Sequence, residues 1–261
     1  MQLWRARPPD SVRFVQAPPL LPLELLEIVT ASVVIFVGAT LQGSVGFGLS
    51  LVAAPILMLL DPRYVPGPLL AVSILLTILT LWREHRHVDF GGIGPVLIGR
   101  LPGTLIGLWL LIALPPREMS VTFGVMLLAA VAMSASPLRF EPTPRTLAGA
   151  GLLSGIMSMT TSAGGPPLAL VYQSSAGATL RATLSGHFLI GAAISLVALR
   201  GGGRLGESEV LLSGLLVPGL VLGFLVSSRI RHRLDAGYTR RTVLLVSGAA
   251  GAAVILRELI G

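Results

Sequence analysis

Apolar residues in this chain form long blocks, separated by short polar or proline-rich segments. Most blocks approach the length of about 20 residues that lets a helix cross a bilayer. The predicted long helical segments are residues 23–41, 65–82, 93–114, 119–136, 147–161, 182–199, 210–228 and 242–259. Two further blocks, 49–60 and 167–173, are too short to span as straight helices. The pattern predicts an all-α polytopic membrane protein.

The order of long and short blocks repeats in two halves, residues 23–136 and 145–260. Each half is predicted to hold a broken helical hairpin followed by three transmembrane helices. A Pro-Gly-x-x-x-Gly motif supports the duplication, since it occurs at 102–107 and again at 218–223. If each broken segment enters the membrane and returns, three crossings remain per half and the repeats are inverted. If it crosses completely, they are parallel. Inverted repeats are the predicted arrangement.

Glycine-rich breaks interrupt the apolar blocks at matching places in the two halves, at 41–48 and 155–167. A helix broken inside a membrane frees backbone N–H and C=O groups, which only surrounding protein or a wet cavity can accept. Paired breaks in corresponding positions of a repeated chain are typical of a transporter's substrate site.

The composition agrees with a membrane protein, because 53% of residues are hydrophobic and 12% are charged, against roughly 25% charged in soluble domains. The net charge is +7, but the arginines are scattered between apolar blocks. They are therefore predicted to fix membrane orientation and not to bind nucleic acid. Residues 1–22 are predicted to form a Pro-rich N-terminal tail ahead of a single membrane transport domain, 23–261.

The residues at the breaks resemble those of a known family. The sequence GATLQGSVGFG at 38–48 precedes Ala-Pro at 54–55, and GLLSG at 151–155 precedes GGPPL at 164–168. With these motifs the chain resembles the sulfite exporter TauE/SafE family, also called toluenesulfonate uptake permeases, from residue 23 onward. The resemblance implies transport of sulfite, sulfonates, sulfoacetate or related small organic anions across the bacterial inner membrane.

The breaks also supply the chemistry that an oxyanion needs. A half-helix begins after each break, and its N-terminus offers free N–H groups and the positive end of the helix dipole. The candidate substrate-binding residues are Gln42, Gly43, Ser44, Gly46, Gly48, Arg100, Thr160, Thr161, Ser162, Gly164, Gly165 and His187. Three alternatives stay open: the hydroxyls bond carbonyls of their own helix, Arg100 extends to the membrane surface, and His187 bonds a structural neighbour.

These observations predict a multi-pass secondary transporter of the bacterial inner membrane that moves a small sulfur-containing organic anion. The alternatives are an anion channel and a transporter for a non-sulfur carboxylate. The expected partners are the organosulfur anion and the lipid bilayer. The sequence indicates no cofactor, no metal site and no enzyme activity, since it lacks an HExxH motif, a phosphate-binding loop and paired carboxylates within the apolar blocks.

Overall fold

The computed structural model describes residues 22–138, 140–175, 177–230 and 236–260, and these form ten α-helices without a strand. The helices of the first half are α1 (Pro22–Val45), α2 (Leu49–Leu60), α3 (Gly67–Glu84), α4 (Ile93–Ala113) and α5 (Pro116–Ala135). Those of the second half are α6 (Pro144–Thr161), α7 (Gly165–Tyr172), α8 (Gly177–Gly201), α9 (Glu207–Ile230) and α10 (Ala236–Ile260). Six of them are long and apolar enough to cross a membrane. The predicted all-α polytopic class is confirmed, while the predicted tail lies almost wholly outside the described residues.

The two halves share one register around their breaks. The ends of α1 and α6, Val45 and Thr161, are 116 positions apart, and so are the starts of α2 and α7, Leu49 and Gly165. This separation equals that of the two Pro-Gly-x-x-x-Gly motifs. The division at 136–145 stays a prediction, which this common register supports.

The most extensive helix contacts join the two halves. Helix α4 of the first half packs on α6 of the second, and α9 of the second half packs on α1 of the first. Both contacts are made by glycine faces that let two backbones approach closely. A Cβ at Gly103 of α4 would overlap the carbonyl of Leu152, and one at Gly219 of α9 would overlap that of Ser32. The broken helix of each half is therefore held by a helix of the other half.

Corresponding helices of the two halves run in opposite directions where they touch. Glu84 at the end of α3 pairs with Arg181 near the start of α8, while Gly67 at the start of α3 lies against the segment that follows α8. Likewise Arg117 at the start of α5 donates to the Glu258 carbonyl near the end of α10. Inverted repeats require antiparallel counterparts of this kind. The inversion stays a prediction, and these registers support it.

Both breaks are shorter than predicted, since only residues 46–48 and 162–164 leave the helical path. Gly43 and Gly155 are helical because each packs against a neighbouring helix. A Cβ at Gly43 would overlap Ser227 of α9, and one at Gly155 would lie 2.7 Å from the Arg100 carbonyl of α4. These two glycines thus serve close packing, which a break does not require.

Candidate functional site

The two breaks line one cavity, together with α3, α4 and α8. The cavity holds about 450 Å³ of empty space, including its opening to solvent. Its lining residues are Gln42, Phe47, Gly48, Ser50, Leu51, Leu70, Ser73, Arg100, Ser158, Ser162, Ala163, Gly164, Gly165, Pro166, Phe188 and Ala192. These residues come from both halves of the chain.

The N-terminus of α2 opens into this cavity and provides backbone donors. Gly48 precedes the helix with φ of 124°, a conformation that a residue with a Cβ adopts only under strain. The side chain of Gln42 accepts a hydrogen bond from the Leu49 N–H at 3.2 Å. The next two N–H groups, of Ser50 and Leu51, have no hydrogen-bond partner in the described part of the chain. They leave two donors at the positive end of the helix.

The N-terminus of α7 is a weaker donor than its counterpart. Pro166 and Pro167 follow Gly165 at the start of the helix, and proline carries no N–H group. Gly165 is therefore the one N–H donor among the first three positions. The two N-termini predicted from the sequence therefore contribute unequally to the cavity.

Arg100 adds a formal positive charge on the side of the second break. Its side chain is 2% exposed, so it does not extend to the membrane surface. Nη1 donates to Ser154 Oγ at 2.6 Å and Nη2 donates to Ser158 Oγ at 2.9 Å. Ser154 Oγ in turn donates to the Gly164 carbonyl at 2.6 Å. The guanidinium is thereby fixed to α6 and to the break itself.

This guanidinium has no anionic partner among the described residues. Its Nε is buried without a hydrogen bond, and the cavity lining contains no carboxylate. A buried charge without a counter-ion is costly in a membrane protein and marks a functional site by default. The unpartnered donor is chemically suited to bind an anion.

Gly191 of α8 provides the space that the guanidinium occupies. A Cβ built at Gly191 would overlap Cζ and Nε of Arg100. The charge is therefore positioned by three helices, because α4 supplies it, α6 holds it through two serines and α8 leaves room for it.

Half of the residues predicted from the sequence line the cavity: Gln42, Gly48, Arg100, Ser162, Gly164 and Gly165. Gly43 and Gly46 pack instead against Ser227 and Arg181. The hydroxyls of Ser44, Thr160 and Thr161 donate to carbonyls of their own helices, at 2.7 to 3.0 Å. For these three side chains the helix-bonding alternative describes the structure.

His187 is buried outside the cavity lining. Its Nε2 lies 3.3 Å from the hydroxyl of Tyr172, and the two rings are 5.6 Å apart between centroids. This geometry agrees with the alternative of a structural neighbour. A direct contact with substrate stays a prediction for which the structure provides no position.

Several lining residues were missed by the sequence argument. Ser158 stands four positions after Ser154, so both face one side of α6 immediately before the break; this spacing is a signal that sequence reasoning can use. Phe47 and Phe188 form apolar parts of the lining. Phe47 stands between two glycines of the first predicted break, which is a usable signal, whereas nothing in the local sequence distinguishes Phe188 from a lipid-facing aromatic.

The apolar helices of spanning length and the cavity between the two breaks together indicate a multi-pass membrane protein with an internal site. The family described as "Sulfite exporter TauE/SafE" matches residues 31–254. The chain belongs to this sulfite exporter family, which confirms the resemblance seen in the sequence, and it is accordingly a membrane transporter and not an enzyme. No curated protein and no solved structure matches it.

Proposed function

We propose that this protein is a secondary transporter that moves a small sulfur-containing organic anion, such as sulfite, sulfoacetate or another sulfonate, across the bacterial inner membrane. The anion is held between Arg100 and the N-terminus of α2. The observation that carries the proposal is the buried guanidinium of Arg100, which lacks a carboxylate partner among the described residues. The family membership supports the same substrate class.

The arrangement of donors favours a sulfonate over a carboxylate. Three groups of donors border the cavity: the Arg100 side chain, the Ser50 and Leu51 N–H groups, and the Gly165 N–H. They belong to three different helices, so they approach a central ligand from different directions. A sulfonate has three oxygens that point in different directions, whereas a carboxylate has two in one plane. The apolar rings of Phe47 and Phe188 are left to contact the organic group.

Among the anions proposed above, the cavity charge favours the singly charged ones, hydrogensulfite or a simple sulfonate, over the doubly charged sulfoacetate. Among the described residues, Arg100 is the one ionisable side chain in the lining, so it neutralises one negative charge and leaves a second one unpaired. We expect methanesulfonate to bind at least about tenfold more tightly than sulfate, since a buried unpaired charge costs several kcal/mol. Ligand-dependent unfolding temperatures of the purified protein measure this order. A tighter interaction with sulfate would contradict the assignment of Arg100.

Uptake into proteoliposomes tests the transport function itself. We expect uptake of labelled methanesulfonate to saturate and to be accelerated by unlabelled methanesulfonate on the opposite side. Acetate at equal concentration tests the carboxylate alternative. If acetate inhibits the uptake of labelled methanesulfonate more strongly than unlabelled methanesulfonate does, the carboxylate alternative is favoured. Flux that rises linearly with concentration and shows no such exchange would indicate a channel.

Gly165 offers a test of the cavity that leaves Arg100 unchanged. A Cβ at this position would lie 3.2 Å from Phe188 Cζ and 3.3 Å from Phe47 Cβ, so a branched side chain extends between the two rings. We expect Gly165→Val to abolish transport while the protein still purifies as a single species. The matched control is Gly201→Val, since a Cβ at Gly201 meets nothing within 4 Å. Normal transport by Gly165→Val would place the site elsewhere.

A further inference from the structure

A cluster of buried charges lies beside the first break, outside the cavity lining. Its members are Arg83 and Glu84 at the end of α3 and Arg181 near the start of α8. Arg181 Nε donates to both carboxylate oxygens of Glu84, at 3.0 and 2.9 Å. Arg83 Nε lies 3.2 Å from Glu84 Oε1. The Glu84 side chain is 4% exposed, so these ion pairs are largely withdrawn from solvent.

The same arginines bind the end of the broken helix α1. Arg83 Nη2 donates to the Gly43 carbonyl at 2.6 Å, and Arg181 Nη1 donates to the Ser44 carbonyl at 3.4 Å. The C-terminus of a helix carries unsatisfied carbonyls and partial negative charge, which cations stabilise. The two arginines thus tie α3 and α8 to α1 beside its break.

Arg83 extends the cluster to a fourth helix. Nη1 donates to Ser228 Oγ of α9 at 2.9 Å, and Cζ lies 4.9 Å from the ring centroid of Phe224. Helices α1, α3, α8 and α9 therefore converge on a single group of charges at the C-terminal end of α9.

The cluster adjoins the cavity directly. The Cβ position of Gly46 lies 3.1 Å from Arg181 Cα, and the next residue, Phe47, lines the cavity. Among the described residues, the corresponding place at the second break has no such ion pairs. There Ser162 donates to the Pro66 carbonyl at 3.1 Å. Arg200, at the end of α8, is exposed and donates to a carbonyl of its own turn. In the part of the chain that the structure describes, buried ion pairs thus lie beside the first break and not beside the second.

We propose that Arg83, Glu84 and Arg181 form a gate that closes the cavity toward the C-terminal end of α9. The gate must separate for the anion to enter or leave on that side, and this role rests on the proposed transport function. Buried ion pairs suit such a role because water compensates the separated charges when the site becomes wet. If the arginines near the end of α9 face the cytoplasm, the gate is cytoplasmic.

The chain contains no cysteine, so single cysteines can report which side of the membrane reaches the cavity. Ser73→Cys places a thiol in the cavity lining. Arg86→Cys marks the gate side, since Arg86 is exposed just after α3, and Arg204→Cys marks the opposite side, since Arg204 is exposed just after α8. A membrane-impermeant maleimide is applied to each face of oriented vesicles, and the labelling rate is measured.

We expect the thiol at residue 73 to be protected from reagent on the face that labels the thiol at residue 86. Adding Glu84→Gln should raise labelling from that face by about tenfold or more, because loss of the carboxylate shifts the population toward the open gate. Glu118→Gln is the matched control, since it makes the same chemical change at an exposed position. Methanesulfonate binding should be preserved in Glu84→Gln while transport slows, a combination that general misfolding does not produce.

If Glu84 is intact and the thiol at residue 73 is labelled rapidly from the face of residue 86, the proposal is overturned. It is also overturned if Glu84→Gln leaves the protection of that thiol unchanged. If Glu84→Gln does not purify as a single species, Arg181→Lys takes its place, because it keeps the charge but loses the two-pronged contact with Glu84 and Ser44. The labelling pattern does not depend on which anion is carried. A wrong substrate assignment would therefore abolish methanesulfonate flux without altering the protection of residue 73.

Discussion

Arg100→Gln should remove most of the anion affinity. The substitution leaves a negative ligand without Arg100, the one cationic side chain among the described residues of the lining. Truncating one member of a buried hydrogen-bonded charge pair costs about 2 kcal/mol or more, which is at least about 30-fold in Kd. Titration of methanesulfonate at fixed salt measures the loss.

The stability of the same variant separates a functional arginine from a structural one. Without ligand, Arg100 carries a buried charge and an unsatisfied Nε, and both oppose folding. We therefore expect Arg100→Gln to unfold at the same or a higher temperature than the parent protein, despite its loss of binding. Arg117→Gln is the control, because Arg117 is exposed at the start of α5. Equal affinities for the two variants, or a marked destabilisation by Arg100→Gln alone, would contradict the assignment.

Gly191→Ala should impair binding nearly as much as Arg100→Gln, although residue 191 lies on a different helix and does not line the cavity. The added methyl group overlaps the guanidinium and forces it away from Ser154 and Ser158. A displacement of about 1 Å in a positioning group can cost about 100-fold in activity. The same anion titration, together with uptake in proteoliposomes, measures the effect.

Two comparisons make this second test specific. Gly201→Ala, in the same helix α8, adds a methyl group where nothing lies within 4 Å and should bind normally. In the Arg100→Gln background, Gly191→Ala should add little further loss, since both substitutions act on one guanidinium and their effects are not additive. Additive losses would mean that residue 191 acts through another part of the structure.

Much of the architecture could be predicted because hydrophobic block length has a single dominant cause in a membrane protein. The hydrocarbon thickness sets the helix length, and unsatisfied backbone groups are excluded from lipid. The ten helices therefore occur in the predicted order. The breaks were overestimated because Gly43 and Gly155 look like helix breakers in a sequence. In the structure their missing side chains serve helix packing.

The predicted residues line the cavity where the argument depended on the backbone, and the list was incomplete where tertiary contacts decide the lining; their role in binding stays a prediction. Gln42, Gly48, Ser162 and Gly164 line the cavity because the breaks themselves form it. Arg100 could be noticed as an ionisable residue within an apolar block. The packing of its guanidinium against Gly191, however, joins positions far apart in the chain. No local pattern encodes such a pairing.

Glu84 is a charged residue whose burial the local sequence does not predict. It stands beside Arg83 at the start of a polar stretch, 83–89, and its sequence neighbourhood indicates a solvated helix end. The structure buries it because Arg181, 97 positions later, reaches both of its carboxylate oxygens. A carboxylate close to a membrane surface can thus be buried by a partner that only the fold reveals.

Helices α4 and α9 each pack on the broken helix of the opposite half, and this arrangement bears on how the two sides of the cavity come to differ in charge. Arg100 precedes Gly103 by three positions, and the equivalent residue before Gly219 is Leu216, which is fully buried. Two identical copies of one half would place either two arginines or none around the shared cavity. A single guanidinium, and with it one preferred pose for the ligand, requires halves that differ in sequence, as they do in this chain. In the proposed transporter, the two directions of passage therefore begin from chemically different approaches to the bound anion.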